Sequence, residues 1–420
     1  MSAPMPPLPR RRNRPALAAW IGALAISATH VALAAAPSPA DLRGWEGVWE
    51  GRLGSQKVVV ALTVDSEHQA LEGRYFYQRF GRDLSLWGPK AGAPMGDTLQ
   101  LSECPPDVVS FNEPCTEPSG TWSLQRPEPS AQGSAPRLTG QWTPVGQAGR
   151  RAPTGSPIEL RRVGDYQASG GAMKDPYEAR REQGIRGTTR PGGRLGPVAW
   201  QTLVDARSRV STPQFTRGAA PEVLTRINQQ LERQWRERAT EALAAVDHDD
   251  ELAVAFANPR WLALTYSVGF YYAGAAHPSN GFAAQTFDLA TGQPVDWRQW
   301  FRFTPTGRDT LDVNRKDNLA SLVIKAHMAR AAQAGGAEGT ASEECAQMVV
   351  DHYECRGGRC AHPGVTQGQT PSGWALWPTP AGLAVAVDIY PEVARGCRGE
   401  AITLPWAQAR GALLRPRELP

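Results

Sequence analysis

The chain has 420 residues with 45 basic and 41 acidic side chains, and 41% of its residues are hydrophobic. Four of the basic residues stand near the N terminus, at positions 10, 11, 12 and 14, and without them the formal charges balance. A balanced chain lacks the basic excess of a nucleic-acid-binding protein, and no later stretch is apolar enough to predict a transmembrane helix.

The N-terminal region has the pattern of a secretory signal peptide. The arginines at positions 10–14 precede an apolar stretch, residues 16–27, that is too short to span a bilayer. Ala32 and Ala34 then place small side chains where signal peptidase requires them. We expect residues 1–34 to be removed and the mature protein to be periplasmic or secreted, with an uncleaved anchor as the alternative.

Residues 44–163 predict an all-β domain built as a small antiparallel barrel or a strongly curved meander of about seven or eight strands. Short runs of alternating polar and apolar residues are separated by glycine, proline, aspartate and serine. A glycine also stands repeatedly two residues before an aromatic side chain, a weak resemblance to small lipocalin-like envelope barrels. The interior of such a barrel either holds a ligand or is filled with side chains. The pairs are Gly47 and Trp49, Gly73 and Tyr75, Gly120 and Trp122, and Gly140 and Trp142.

Residues 164–197 are polar, rich in glycine, arginine and proline, and lack apolar periodicity, which predicts a flexible linker. Residues 198–414 mix helix and strand patterns. A helix is predicted from Pro221, strands at residues 252–258 and 261–274, and a further helix over residues 310–332. These patterns predict an α+β domain in which helices pack on one face of a sheet. The apolar face of the first helix would consist of Val223, Leu224, Ile227, Leu231 and Trp235.

Four segments of the second half match the pattern of one family. They are Arg-Ile-Asn at residues 226–228, LALTYSVGFYYAGAAHPSNG at 262–281, FDLATGQPVDWRQWF at 287–301, and the ending at 381–409. Together they resemble the extracytoplasmic domain shared by the anti-sigma factor RsiV and the peptidoglycan deacetylase PdaC. The resemblance implies an envelope role in binding a protein or a glycan, with a lysozyme-like hydrolase or peptidoglycan as the partner.

The best polar and aromatic cluster in these segments consists of Tyr271, Tyr272, His277, Asn280 and Asp288. As a partner-binding edge, its tyrosines would supply contact area and its polar groups directional hydrogen bonds. The alternative is structural, because Pro, Asn and Gly at this point also make a turn at the end of a strand. Trp297 and Trp300 fit either role.

Six cysteines follow the signal segment, and in an exported chain an even number predicts disulfides. We expect Cys104 to pair with Cys115, while three pairings stay open for Cys345, Cys355, Cys360 and Cys397. A zinc site that also uses His352 and His362 is the alternative. The irregular spacing and the oxidising compartment favour disulfides.

No catalytic motif stands out, so we expect a non-enzymatic binding protein without a metal or cofactor. The charge run DHDDE at residues 247–251 is expected at a helix end and fits no calcium loop. One alternative is an envelope hydrolase with a dispersed acid pair, since a glycosidase needs only two well-placed carboxylates. The other is a structural or assembly factor of the envelope.

Overall fold

The computed structural model describes residues 42–65, 70–90, 98–105, 115, 117–125, 127, 135–146, 155–166, 175–303, 310–333, 340–361 and 373–414. All of them belong to the compact unit Ala36–Pro420. The expected signal peptide, residues 1–34, lies outside the described residues. In the ranges above, no helix is long and apolar enough to cross a membrane.

The first part of the chain forms a closed barrel of eight antiparallel strands, as predicted. Each strand pairs with the next along the chain, and the first pairs with the last, so the barrel has no free edge. The strands are β1 Gly47–Leu53, β2 Gln56–Val64, β3 Ala70–Tyr77, β4 Asp83–Lys90, β5 Thr98–Cys104, β6 Gly120–Gln125, β7 Arg137–Pro144 and β8 Ser156–Gly164.

The barrel interior is packed with side chains. Trp49, Tyr75 and Trp122 from the glycine-aromatic pairs are buried there among leucines and valines. At one of the four pairs the glycine admits a ring to the backbone. A Cβ atom at Gly120 would lie 2.4 Å from Nε1 of Trp142 on the neighbouring strand, so only glycine fits beneath that indole.

The expected linker, residues 164–197, contains two ordered elements, helix α1 Pro176–Gln183 and strand β9 Gly187–Leu195. We expected a flexible segment here, and the structure instead shows a helix and a strand. Helix α1 docks on the barrel through the buried Tyr177, which packs against Phe76, and through ion pairs. The buried Arg181 donates to the carbonyl of Gly81 at 2.9 Å and to Asp83 Oδ1 at 2.6 Å. Because only Tyr177 and Arg181 of this helix are buried, its sequence shows no apolar periodicity. The domain boundaries themselves stay a prediction.

Two three-stranded antiparallel sheets follow. The first consists of β9, β10 Val198–Asp205 and β11 Ser211–Arg217, and the second of β12 Asp247–Ala257, β13 Trp261–Tyr271 and β14 Ser279–Asp288. Helix α2 Pro221–Ala244 packs against them with the predicted face, and all five of its predicted apolar residues are buried. The α+β character of this half is therefore confirmed. The charge run at residues 247–251 lies on β12 rather than at a helix end.

The C-terminal part adds β15 Thr310–Asp312, β16 Arg359–Ala361, β17 Trp374–Pro378, β18 Gly382–Val387 and β19 Ala401–Pro405. Helices α3 Leu319–Ala331, α4 Ala341–His352 and α5 Trp406–Ala409 complete it, with 3₁₀ helices at Trp297–Gln299, Glu392–Cys397 and Arg410–Ala412. The helix expected over 310–332 begins only at Leu319. Asn318 caps it by accepting from the Ser321 amide, and residues 310–312 pair with β16 instead.

Trp297 and Trp300, left open by the sequence, pack into the core of this part. The Trp297 and Trp300 rings lie 5.5 and 5.3 Å from the ring of the buried Trp261, both edge to face. The Trp297 indole also donates to the carbonyl of Leu376 at 3.0 Å. Both tryptophans therefore join the strand β13 to its neighbours, in the geometry that aromatic pairs prefer.

Candidate functional site

The six cysteines form three disulfides. Cys104 pairs with Cys115, as predicted. The four remaining cysteines, whose pairing the sequence left open, join as Cys345 with Cys397 and Cys355 with Cys360. The thiols of the alternative zinc site are thus in disulfides, and its His362 lies outside the described residues. Across the described ranges, no group of three or more His, Cys, Asp or Glu side chains is placed to hold a metal ion.

The structure divides the predicted polar and aromatic cluster. His277 and Asn280 lie at the start of β14, in the hairpin that links it to β13, whereas Asp288 ends the same strand. The two ends of β14 are about 30 Å apart at the rise of an extended strand. Asp288 accepts from the amide of Ala290 at 2.7 Å and so stabilises a turn.

Tyr271 is the last residue of β13, and Tyr272 follows it. Tyr271 pairs in register with Asp247 of β12. Tyr272 is 38% exposed, and its ring lies 5.4 Å from that of Phe270. Loss of surrounding water, followed by the nearby charges of Glu241 and Glu178, raises the pKa of Tyr272. Tyr272 therefore lies near charged groups of helices α1 and α2, whereas His277 lies 3.7 Å from Glu392 of the 3₁₀ helix Glu392–Cys397.

Arg398 organises the polar groups around the start of β14. Its Nη1 donates to the carbonyl of Asn280 at 2.6 Å and to Ser279 Oγ at 3.2 Å. Its Nη2 donates to Glu392 Oε2 at 2.9 Å, and its Nε lies 3.2 Å from Asp388 Oδ1. One guanidinium thus ties the hairpin to the chain that follows β18. We call these five residues the Arg398 network.

The Arg398 network holds the segment 391–397, which we call the presenting loop. Asn280 Nδ2 donates to the carbonyl of Arg395 at 3.1 Å, and the Cys345–Cys397 disulfide fixes the end of the loop to helix α4. At its centre Val393 is 94% exposed. The sequence offered no signal for Val393, because its exposure depends on contacts between residues more than a hundred positions apart.

Glu392 is ionised in this arrangement. Loss of surrounding water acts to raise its pKa, but hydrogen bonds from Arg398 and Ser279 outweigh this and lower the pKa of Glu392. Its second oxygen, Oε1, lies 3.7 Å from Nδ1 of the exposed His277. A carboxylate that keeps its charge makes a poor proton donor, and this one is already paired with Arg398.

A second polar group lies between α2 and the strands β12 and β13. Arg238 donates to Asp250 Oδ1 at 2.6 Å, and its guanidinium lies 5.1 Å from the centre of the Tyr266 ring. Glu241 lies at the surface, yet loss of water around its carboxyl raises its pKa, and the charges of Glu237 and Asp250 add to this. A carboxyl with a raised pKa near a buried carboxylate is the combination that acid catalysis uses.

A third polar group lies inside the barrel, where Glu103 is buried. Its Oε2 accepts from the Tyr75 hydroxyl at 2.6 Å, from the Trp142 indole at 2.8 Å and from the Trp122 indole at 3.1 Å. Its Oε1 accepts from Ser119 Oγ at 2.6 Å. Four neutral donors therefore satisfy this carboxylate, and its role is to fix the aromatic rings that fill the barrel.

No protein-family model matches the chain, and no curated protein matches it either. One solved structure that it resembles is a DUF3298 family protein from Pseudomonas aeruginosa PAO1. The identity is 12%, the match covers 56% of this chain and 94% of the other, and the TM-score is 0.33. A likeness at that TM-score carries no argument about fold or function. The resemblance to the domain shared by RsiV and PdaC stays a prediction.

Proposed function

We propose that this protein is an exported, non-enzymatic binding protein of the cell envelope that docks a partner protein on its presenting loop. The observation that carries the proposal is Val393, an apolar side chain held 94% exposed on a loop fixed at both ends. The partner we propose is a lysozyme-like peptidoglycan hydrolase, because the similar domain of RsiV binds lysozyme.

The geometry of the presenting loop favours binding. A loop that is already ordered loses little conformational entropy when a partner docks, so more of the contact energy is available as affinity. Burying the Val393 side chain would contribute about 1.5–3 kcal/mol. The neighbouring His277, whose side chain is 54% exposed, can hydrogen-bond to polar groups at the rim of an interface.

Export is supported by the three disulfides, which persist in oxidising compartments such as the periplasm. The signal-peptide pattern of residues 1–34 points to the same place. Both fit a periplasmic or secreted protein.

The chemistry around the presenting loop supports a role without catalysis. Ser279 donates to Glu392 and accepts from Arg398, so its hydroxyl is held by an ion pair rather than by a histidine base. The pKa of Glu392 is lowered, whereas a glycosidase acid needs a raised one.

The second candidate function is an envelope hydrolase, and the raised pKa of Glu241 beside Asp250 favours it. In that case the purified protein would release soluble fragments from peptidoglycan sacculi, and Glu241→Gln would abolish the release. Glu222→Gln is the matched control, since it removes the same charge from an exposed position at the start of the same helix. Binding without release leaves the first proposal in place.

A pull-down tests the proposal directly. Purified protein is applied to an immobilised lysozyme-type hydrolase and, in parallel, is sedimented with intact sacculi. We expect retention by the hydrolase that Val393→Asp reduces strongly. Retention by sacculi alone would replace the protein partner with an envelope glycan, and retention by neither would refute the binding function.

A further inference from the structure

A cleft of about 440 Å³ opens where the barrel meets helix α1 and the start of β9. Its lining includes neither Glu241 nor any residue of the presenting loop. A volume in this range suits a ligand the size of a disaccharide or a short peptide. The lining residues are Glu50, Phe76, Gln78, Arg180, Arg181, Gln183, Gly184, Arg186 and Arg207.

The charged side chains of the lining are four arginines and a single glutamate. Arg180 Nε lies 3.2 Å from Glu50 Oε2, so this pair largely balances. Arg161, on the neighbouring strand β8, approaches the same oxygen at 3.7 Å. The mouth of the cleft therefore carries more positive charge than its one carboxylate can compensate.

Arg181 lies at the bottom of the cleft, and its charge is already compensated by carboxylates on the side away from the opening. Its side chain is fully buried and lies 2.6 Å from Asp83 Oδ1 and 3.0 Å from Glu178 Oε2. These ion pairs raise the pKa of Arg181 against the opposing effect of burial. Arg181 therefore forms a rigid polar wall of the cleft. The uncompensated positive charge comes from other arginines of the lining.

Arg186 and Arg207 supply that charge, because both are held mainly by neutral carbonyls. Arg186 Nη1 donates to the carbonyls of Gln183 at 2.6 Å and Ile185 at 2.9 Å. Arg207 donates to the carbonyls of Gln78, at 3.1 Å, and Gly184. Hydrogen bonds to carbonyls fix a guanidinium in place without cancelling its charge.

The carboxylate of Asp205 lies 3.9 Å from Arg207 Nε and offsets part of the arginine's charge. Asp205 accepts from the backbone amides of Arg186 and Ser208, at 3.0 and 2.9 Å. Gly184 makes room for the Arg207 guanidinium, since a Cβ atom there would lie 3.2 Å from both of its terminal nitrogens. The guanidinium groups of Arg186 and Arg207 are thus held in place before any ligand binds.

We propose that this cleft binds the oxyanion group of a small acidic ligand, a carboxylate or a phosphate, through Arg186 and Arg207. Ordered guanidinium groups with remaining N–H donors match the planar oxygen pairs of carboxylate and phosphate. Because the arginines are fixed beforehand, binding does not have to immobilise two long side chains. The ligand class is an acidic sugar or a phosphorylated polyol of disaccharide size or smaller.

Isothermal titration of the purified protein with three probes tests the proposal. The probes are a uronic-acid disaccharide, glycerol phosphate and a neutral disaccharide. We expect saturable binding of at least one acidic probe with a Kd of about 1 mM or lower, and none of the neutral sugar. Binding of the uronic acid alone identifies a carboxylate ligand, and binding of glycerol phosphate alone identifies a phosphate.

Two variants locate the site. Arg186→Gln removes a charge-assisted contact and should weaken binding about tenfold. Gly184→Ala leaves a backbone with an ordinary φ of −83° but crowds Arg207, so it should also weaken binding. Arg190→Gln is the matched control, because it removes an exposed arginine of β9 outside the lining. Equal weakening by Arg186→Gln and Arg190→Gln, or no binding of either acid up to about 10 mM, would overturn the proposal.

Discussion

His327 links the stability of the C-terminal part to pH. It lies on helix α3 with only 2% of its surface exposed, and neither ring nitrogen has a hydrogen-bond partner within the described residues. Burial, with a smaller contribution from Arg330, lowers the pKa of His327 to about 3. The folded protein therefore keeps this imidazole neutral at pH values where an unfolded chain protonates it.

The sign and size of the effect follow from proton linkage. Because the folded pKa lies below the unfolded value of about 6.5, the stability is complete above pH 6.5 and is lost as the pH falls toward 3. At pH 5, which is about 1.5 units below the unfolded pKa, protonation of His327 stabilises the unfolded chain by about 2 kcal/mol. This value holds for any folded pKa well below 5.

The perturbation is His327→Leu, which keeps an apolar side chain in the buried position. Urea unfolding is followed by circular dichroism at pH 7.5 and pH 5.0, since the long helices lie outside the barrel. Wild-type protein should lose about 2 kcal/mol more than the variant between the two pH values. The control His352→Gln, at an exposed position, should behave as wild type. An equal loss in wild type and His327→Leu would refute the reasoning.

Three further predictions concern stability and the presenting loop. Glu103→Gln turns an amide N–H toward donors inside the barrel and should cost about 1–3 kcal/mol, measured by thermal denaturation. Arg181→Met removes one of the two arginines that pair with the partly buried Asp83 and Glu178, because Arg74 pairs with both as well, and should cost about 1–3 kcal/mol, measured by urea titration. Replacing Cys345 and Cys397 together by serine opens a 52-residue loop and should cost about 4 kcal/mol. The same double variant should weaken hydrolase retention in the pull-down, because the presenting loop loses its attachment to α4.

Much of the fold could be predicted from local patterns. The alternation of side chains and the glycine before each aromatic residue indicate the barrel, because both features follow from strand geometry and close backbone contact. The apolar face of helix α2 is equally local, and Val223 to Trp235 are buried as their spacing predicts. The helix start predicted at residue 310 was wrong, because the short strand at 310–312 and the cap that follows it resemble the first turn of a helix.

The candidate site was harder to predict because it depends on distant contacts. His277 and Asn280 were found from their sequence neighbourhood, but their partners Glu392 and Arg398 lie more than a hundred residues away. Asp288 was grouped with them because it is near in sequence, although the length of strand β14 separates it from His277 and Asn280. The arginines of the cleft form no recognisable sequence motif, because they come from the expected linker and from a turn between β10 and β11.

The measurement that tests the central claim most directly is the affinity of the purified protein for a lysozyme-type hydrolase, compared between Val393→Asp and Val145→Asp. Val145 is 50% exposed at the end of β7, so its replacement introduces the same charge on the barrel. We predict that Val393→Asp weakens binding by about tenfold or more and that Val145→Asp leaves it unchanged. Equal affinity of both variants, or no measurable affinity of the wild type, would contradict a docking role for the presenting loop.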